Sequence, residues 1–592
     1  MNSETKNCQS CHQEFRIEPE DFAFYERIKV PPPTWCPECR LVRRLSFRNE
    51  RSLYKDSCDL CGKEIVSMYA PEGPFTVYCN SCWFSDKWDG KQFGKDFDPS
   101  KPFFEQFAEL LISVPRMALE AYQNENSPYS NFTWIAKNVY LSPSTMYSEN
   151  IAFCFSCWHT SELFDCYRVD NSQLGYEILE SSRCSTSRYI IYGAECLDSA
   201  FLFDCRNCRS CFMSSNLRNK SYVFRNEQLS PDEYKKRISL VDFGSYHEMQ
   251  NLIKEYRSMS AMALRKFAAF NKGENFSGDI LGNVKNAHYC FSGTDVENVK
   301  YGGQMLKIKD SMDIYGAGPP GELLYEGVNV GYNDSLILFS SHTFENMNDV
   351  QYCDYCRLSG DHLFGCAGLH KGRYSILNKQ YTEEEYKELV PRIISRMGSV
   401  PYTDKKGRIY KYGEFFPSEL SPFAYNETIA QEFFPLSKER TIESGFRWRD
   451  SDIKEYKITR KPEELLDNIK DVGDDIFKET IECSHKGGCV HQCTSAFRII
   501  PEELAFYRRM NLPLPRLCPN CRHYERLAQR NPMKLWHRKC QCAGVKGESG
   551  VHANTVKHQH GEGHCPNEFE TSYAPERPET VYCESCYNSE IV

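Results

Sequence analysis

Along the middle of the chain apolar residues come in very short runs broken by polar ones. Examples are Ile151-Ala152-Phe153-Cys154, Leu163-Phe164-Asp165-Cys166, Tyr189-Ile190-Ile191-Tyr192 and Phe201-Leu202-Phe203-Asp204-Cys205. Such runs are too short for one face of a helix. Recurring at roughly twenty residues with Ser, Asn, Asp and Cys between them, they predict the short strands and polar corners of a stacked β-solenoid. The tract ends twice in the same way. Leu217, Tyr222, Phe224, Asn226 and Gln228 precede Ser230 to Tyr234, and Leu369, Tyr374, Ile376, Asn378 and Gln380 precede Thr382 to Tyr386. Ser230 and Thr382 are N-cap candidates with Glu233 and Glu385 as capping-box partners, so each ending reads as a last strand followed by a capped helix. Two lobes follow, 126–230 and 283–380, joined by a helical segment over 231–282, with a capping helix over 381–399. Phe104, Phe107, Leu110, Leu111 and Val114 stand at helical spacing before Pro115 and predict a connecting helix within 91–125. Residues 400–475 are rich in Phe, Pro and Tyr, too aromatic for a free linker, and predict an arm laid over the solenoid.

The two ends of the chain repeat each other. Phe15-Arg16-Ile17 to Phe24-Tyr25, followed by Cys36-Pro37-Glu38-Cys39-Arg40, returns as Phe497-Arg498-Ile499 to Phe506-Tyr507, followed by Cys518-Pro519-Asn520-Cys521-Arg522. Tyr69-Ala70-Pro71-Glu72 with Cys79 and Cys82 returns as Tyr573-Ala574-Pro575-Glu576 with Cys583 and Cys586. A C-x-x-C knuckle offers two thiolates from one tight turn, and two knuckles close a tetrahedral zinc site. In residues 1–90 the ligand sets are Cys8, Cys11, Cys36 and Cys39, then Cys58, Cys61, Cys79 and Cys82. In 476–592 they are Cys489, Cys493, Cys518 and Cys521, then Cys540, Cys565, Cys583 and Cys586. Cys483 or His485 is an alternative to Cys489, and Cys542 to Cys540. About four structural Zn²⁺ ions are expected. His552, His558, His560 and His564 lie in an insertion of the last module, read either as an exposed loop or as donors to a further transition metal.

The chain of 592 residues has room for several domains, and its net charge of −9 excludes a general polyanion binder. Thirty cysteines, many in C-x-x-C pairs without an export signal or a long apolar run, predict metal ligation in a reducing, cytoplasmic setting with no membrane. The solenoid cysteines read as buried core thiols, with Cys205/Cys208/Cys211 and Cys353/Cys356 also at ligand spacing. Basic charge is local. Arg40, Arg43, Arg44 and Arg48 follow one knuckle, and Arg522, Arg526, Arg530, Lys534, Trp536 and Arg538 follow its counterpart. Basic residues interleaved with aromatics can grip a phosphate backbone and stack bases. The other reading is a ribbon face that pairs with the acidic body of the chain.

Residues 8–44, with their C-x-x-C, Phe-Arg-Ile strand, Phe-Tyr helix and Cys-Pro-Glu-Cys-Arg knuckle, resemble a zinc-ribbon family found in many bacterial proteins. The whole resembles large zinc-ribbon proteins encoded by candidate-phylum bacteria. The resemblance implies metal and no activity. The fold expected is mainly β with α segments, terminal treble or zinc-ribbon modules flanking a two-lobed β-solenoid-like middle. The function expected is non-catalytic: binding of RNA or DNA through the basic strips. The alternatives are a protein assembly scaffold or self-association, and third a solenoid enzyme acting on carbohydrate through pairs such as Asp310/Asp313 or Asp354/Asp361. Gly316 to Gly321 matches G-x-G-x-x-G, but the prolines within it and the lack of a βαβ unit reject a dinucleotide loop.

Overall fold

A computed structural model describes residues 2–450, 456–543 and 554–592. The chain is mostly strand with some helix, 33% and 23%, and contains a β-solenoid of about 21 turns. It divides into two units, residues 1–120 with 269–450, and 121–268 with 451–592. Each unit therefore joins one cysteine module to one solenoid lobe, the module coming from one part of the chain and the lobe from another.

The lobe of the second unit is built on a period of three. From Phe132 to Arg225 every third residue has a left-handed backbone, φ between 46° and 60°. Three-residue sides alternate with these corners, and parallel pairs such as Phe155 with Tyr167 and Tyr167 with Leu179 are 12 residues apart. Twelve residues make one four-sided turn, which replaces the spacing of about twenty expected from the apolar runs. A left-handed conformation costs a non-glycine residue roughly 1–2 kcal/mol. The coil holds its corners only because ladder bonds and a continuous core offset that cost.

That core is a column of the residues that follow each corner: Val139, Ile151, Cys154, Leu163, Cys166, Val169, Ile178, Cys184, Ile190, Cys196, Leu202 and Cys205 are all at most 1% exposed. The Ser and Cys members hydrogen-bond as well as pack. Ser172 Oγ donates to Asp170 O and accepts from the amide of Cys184 one turn on, at 3.0 and 2.9 Å. Cys154 is wired likewise, its thiol donating to Ala152 O and accepting from the amide of Cys166. These thiols are therefore core residues with backbone partners. Outside, asparagines at the corners form ladders, Asn126 to Asn138 to Asn150.

The lobe of the first unit begins at Phe270, inside the segment expected to be helical; the helices Pro231–Ile238 and Tyr246–Met262 end earlier because a strand, Phe270–Lys300, takes up the coil. Its register starts at 12 residues, Phe291 with Gly303, and lengthens to 13 at Ile308 with Gly321, so the Gly316–Gly321 stretch is a solenoid turn. Each lobe closes as expected. Ser230 Oγ accepts from Glu233 N, and Thr382 forms a full capping box with Glu385. Phe415 and Phe416 of the aromatic arm pack on Phe47 and Phe107, and the Gly413 amide donates to the Tyr352 hydroxyl of the lobe.

Candidate metal centres

Four tetracysteine groups bring their sulfurs together: Cys8, Cys11, Cys36 and Cys39; Cys58, Cys61, Cys79 and Cys82; Cys483, Cys493, Cys518 and Cys521; and Cys540, Cys565, Cys583 and Cys586. Each could hold a metal ion. In each group the second knuckle opens a helix, at Pro37–Leu45, Asn80–Trp83, Pro519–Leu527 and Glu584–Ile591. Amide donors and the positive end of the helix dipole favour a thiolate there, and in two of the four a proline at the first helical position wastes no amide.

The spacing fits ligands of one ion. A tetrahedral ion with metal–sulfur bonds of about 2.3 Å holds its sulfurs roughly 3.8 Å apart. Cys11 to Cys36 is 3.8 Å, Cys61 to Cys79 3.9 Å, Cys483 to Cys521 3.8 Å, Cys493 to Cys518 3.9 Å and Cys565 to Cys583 3.8 Å. None of the thirty cysteines is in a disulfide. One bond is common to all four groups. The amide of the cysteine that opens the helix donates to the first sulfur of the set: Cys36 to Cys8 at 3.2 Å, Cys79 to Cys58 at 3.1 Å, Cys518 to Cys483 at 3.3 Å and Cys583 to Cys540 at 3.2 Å. Against the effect of burial, amides of Cys79, Cys61 and Leu60 hold the Cys58 thiol down to about 6. The Cys540 thiol holds Cys583 down to about 4.

That shared bond decides the two ambiguous ligands. Cys483 stands where Cys8 stands and replaces Cys489; Cys540 stands where Cys58 stands, leaving Cys542 outside the set. Cys489 belongs instead to a second cluster with His485, His491 and Cys521, its sulfur 3.6 Å from that of Cys521. Cys521 is common to both clusters. The C-x-x-x-C spacing pointed to Cys489 because Cys483 lies ten residues before Cys493 and enters through the strand pair Ile481–Glu482 with Ala496–Phe497.

The basic strips are not a solvent-facing surface. In the first unit Arg40, Arg43, Arg44 and Arg48 are at most 3% exposed. Arg40 bonds Asp313 at 2.8 Å, Arg44 bonds Asp313 at 3.1 Å and Glu326 at 2.9 Å, and Arg43 bonds Glu326 at 3.0 Å and Glu414 at 3.1 Å. Arg48 pairs with Glu50. In the second unit the pattern recurs: Arg522 bonds Asp165 at 3.1 Å, and Arg526 bonds Asp165 at 2.8 Å and Glu177 at 2.9 Å. Arg530 donates to the Tyr167 hydroxyl, and Arg538 to the carbonyls of Tyr573 and Ala574. Of the ten strip residues Lys534, beside the Trp536 ring, is the one left exposed. The reading as a phosphate grip gives way to ion pairing with the acidic body, because a helix opened at a knuckle aims its Cys+4 and Cys+8 positions at the lobe.

Burial pushes Glu177 up to about 7 despite Arg526, and pushes Glu326 up against the pull of Arg43 and Arg44. The acid pairs considered for carbohydrate chemistry are engaged too. Asp313 is held by Arg40 and Arg44, Asp354 by Arg116, Asp310 by Arg27, and Asp361 by His362 and Arg373.

No family model and no curated protein matches the chain. What it does must come from its own geometry. Among the described residues no helix is long and apolar enough to cross a membrane.

Proposed function

We propose that the protein is a zinc-dependent structural scaffold, in which thiolate-bound ions fix arginine-bearing helices onto the acidic columns of two solenoid lobes. The supporting observation is the pair of arginine–carboxylate lattices, fully buried in the first unit and largely buried in the second, each built on a helix that opens at a cysteine knuckle. Full sulfur coordination with no open position suits a soft-to-borderline ion in a structural role. The ladders of asparagine along the coils give rigid, repetitive faces to which other proteins, or another copy of this chain, can dock. Nucleic-acid binding has lost its strip, since most of the arginines that would neutralise phosphates are spent on carboxylates.

The test combines chelation with binding. Removing metal from the intact chain is expected to expose protease sites between residues 36 and 48 and between 518 and 530, with zinc alone restoring protection. A chelated protein that stays protected there overturns the structural role. Tight nucleic-acid binding that falls steeply with salt would overturn the scaffold reading in favour of a polyanion binder.

A further inference from the structure

Beyond the fourth tetracysteine group the last module carries donors that no sulfur set uses. Cys542, two residues past Cys540, and His558 are buried, at 0% and 3% exposure. Cys542 Sγ lies 3.2 Å from His558 Nδ1 and 3.2 Å from His560 Nε2. An ion with bonds of about 2.3 Å to sulfur and about 2.0–2.1 Å to nitrogen would set such ligands roughly 3.5 Å apart.

Two imidazole nitrogens face one sulfur, whose S–H can donate to one of them while the other donates to it; what favours a shared ion is the way the two rings are held. His558 Nε2 meets Glu590 Oε1 at 2.9 Å, with the two side chains 1% and 2% exposed. Glu590 is itself held by the amides of Thr555 and Val556 at 2.9 and 3.4 Å. With its Nε2–H given to a carboxylate, His558 turns the Nδ1 lone pair toward Cys542 Sγ and the Asn554 amide nitrogen, the latter 3.0 Å away; a carboxylate on the far nitrogen is the arrangement that orients metal-ligating histidines. His560 Nδ1 is buried without a partner among the described residues. The Asn554 amide closes the remaining side, Oδ1 3.1 Å and Nδ2 2.9 Å from the same sulfur, with Oδ1 also taking the Tyr582 hydroxyl at 3.1 Å.

From these contacts we infer a further metal site: Cys542, His558 and His560 bind a divalent transition-metal ion through one thiolate and two imidazoles, with Asn554 beside the fourth position. The site differs in chemistry from the four sulfur-only groups and stands apart from the scaffold reading. The helix Glu584–Ile591 serves both, carrying Cys586 for one and Glu590 for the other. His552 and the rest of 544–553 lie outside the described residues; His564 is not needed for the set.

Cobalt(II) loaded into the reduced full-length chain reports both donor types, since sulfur-only and mixed sulfur–nitrogen sites absorb differently in the visible. His560→Ala and His558→Ala are each expected to lose one cobalt equivalent and the mixed-ligand bands, with the sulfur-only bands kept. Glu590→Gln should keep the stoichiometry and weaken cobalt affinity about 10–100-fold. Cys540→Ser should remove sulfur-only intensity and leave the mixed bands. Unchanged cobalt counts in both histidine variants overturn the site. So does a mixed-ligand signal that survives His560→Ala but vanishes with Cys540→Ser. If the wild type shows mixed bands that His558→Ala and His560→Ala remove, without sulfur-only ones, the scaffold reading fails and this site stands.

Discussion

The sharpest perturbation is Arg44→Met. Arg44 is fully buried, spans Asp313 and Glu326 at 3.1 and 2.9 Å, and both carboxylates are fully buried with it. Methionine keeps much of the side-chain volume and removes the charge, so the cavity term is small and the electrostatic term dominates. Breaking a buried pair by deleting one partner costs about 3–5 kcal/mol, because the carboxylates stay behind in a low-dielectric site. Here Arg40 still bonds Asp313 and Arg43 still bonds Glu326, which places the loss toward the lower end, about 3 kcal/mol. For a unit of this size that is a fall of roughly 5 °C in its thermal transition. The assay is thermal and urea denaturation of the full chain, followed by amide exchange over the strand Gly303–Tyr315 that carries Asp313. The triple variant Arg44→Met, Asp313→Asn, Glu326→Gln should recover much of the loss, since the stranded charges are gone. An Arg44→Met protein with unchanged transition and unchanged exchange refutes the arginine–carboxylate lattice as the clasp, or buckle, between helix and lobe. One that is unchanged in stability but loses nucleic-acid binding would restore the phosphate-grip reading.

Three further expectations test other parts of the molecule. Ser172→Ala leaves the Cys184 amide without its buried partner, while the Asp170 carbonyl keeps the Arg183 amide, and should cost about 1–3 kcal/mol, whereas Ser172→Cys, wired as its neighbours in the column are, should cost clearly less; equal losses in urea melts would refute the column's hydrogen-bonding role. Cys483→Ser should remove the ion of the third sulfur group, while Cys489→Ser should leave it, as read by native mass spectrometry; the reverse outcome returns Cys489 to the set. Asp334 is pushed up to about 7 by burial, so the folded state keeps a proton that the unfolded chain releases near pH 4. Stability of its unit is therefore full below about pH 4 and falls as pH rises toward 7, by up to about 4 kcal/mol, and Asp334→Asn should abolish that slope; a slope that persists in the variant excludes Asp334 as its source.

Much of this was legible in the chain itself. The knuckles at Cys36/Cys39 and Cys518/Cys521 announced four-cysteine clusters, and the Ser230 and Thr382 caps marked both lobe ends, because these signals are local. The solenoid was visible as a class, yet its true period was hidden. Apolar runs such as Phe201-Leu202-Phe203 mix the inward Leu202 with outward residues covered by other elements, so they recur irregularly. The regular signal is the inward column, in which Ile, Leu, Val, Cys, Ser and Gly alternate at every third position. Hydrophobicity does not see it, since Ser and Cys there serve the backbone. The partners of Arg40, Arg44, Arg522 and Arg526 were out of reach for another reason: Asp165 and Asp313 are ordinary corner residues until the fold stacks the next carboxylate one turn above. The Cys542 site was half visible in its histidines, and it was the return of the chain to Cys542 that brought them to one point.

The two buckles show why a metal knuckle and a solenoid make a matched pair. Asp165 and Glu177 sit at the same corner of consecutive turns, as do Asp313 and Glu326, the first pair 12 residues apart and the second 13. Strands one turn apart are separated by about 4.8 Å, and residues i and i+4 of a helix rise about 6 Å. Arginines at Cys+4 and Cys+8 therefore meet carboxylates on adjacent turns, and in both units the outer arginine bridges the two acids at hydrogen-bond distance while the inner one bonds the lower acid, with Arg40 reaching Glu326 only at 4.0 Å. The extra residue in the 13-residue turns is harmless, because it is absorbed away from the corner that faces the helix. The pitch match works only if the helix axis is held along the stack, and the thiolates that open the helix fix its first turn. On the structural reading proposed above, loss of an ion would free that turn and strand two carboxylates at once, which would make metal occupancy and lobe docking one cooperative event in each unit.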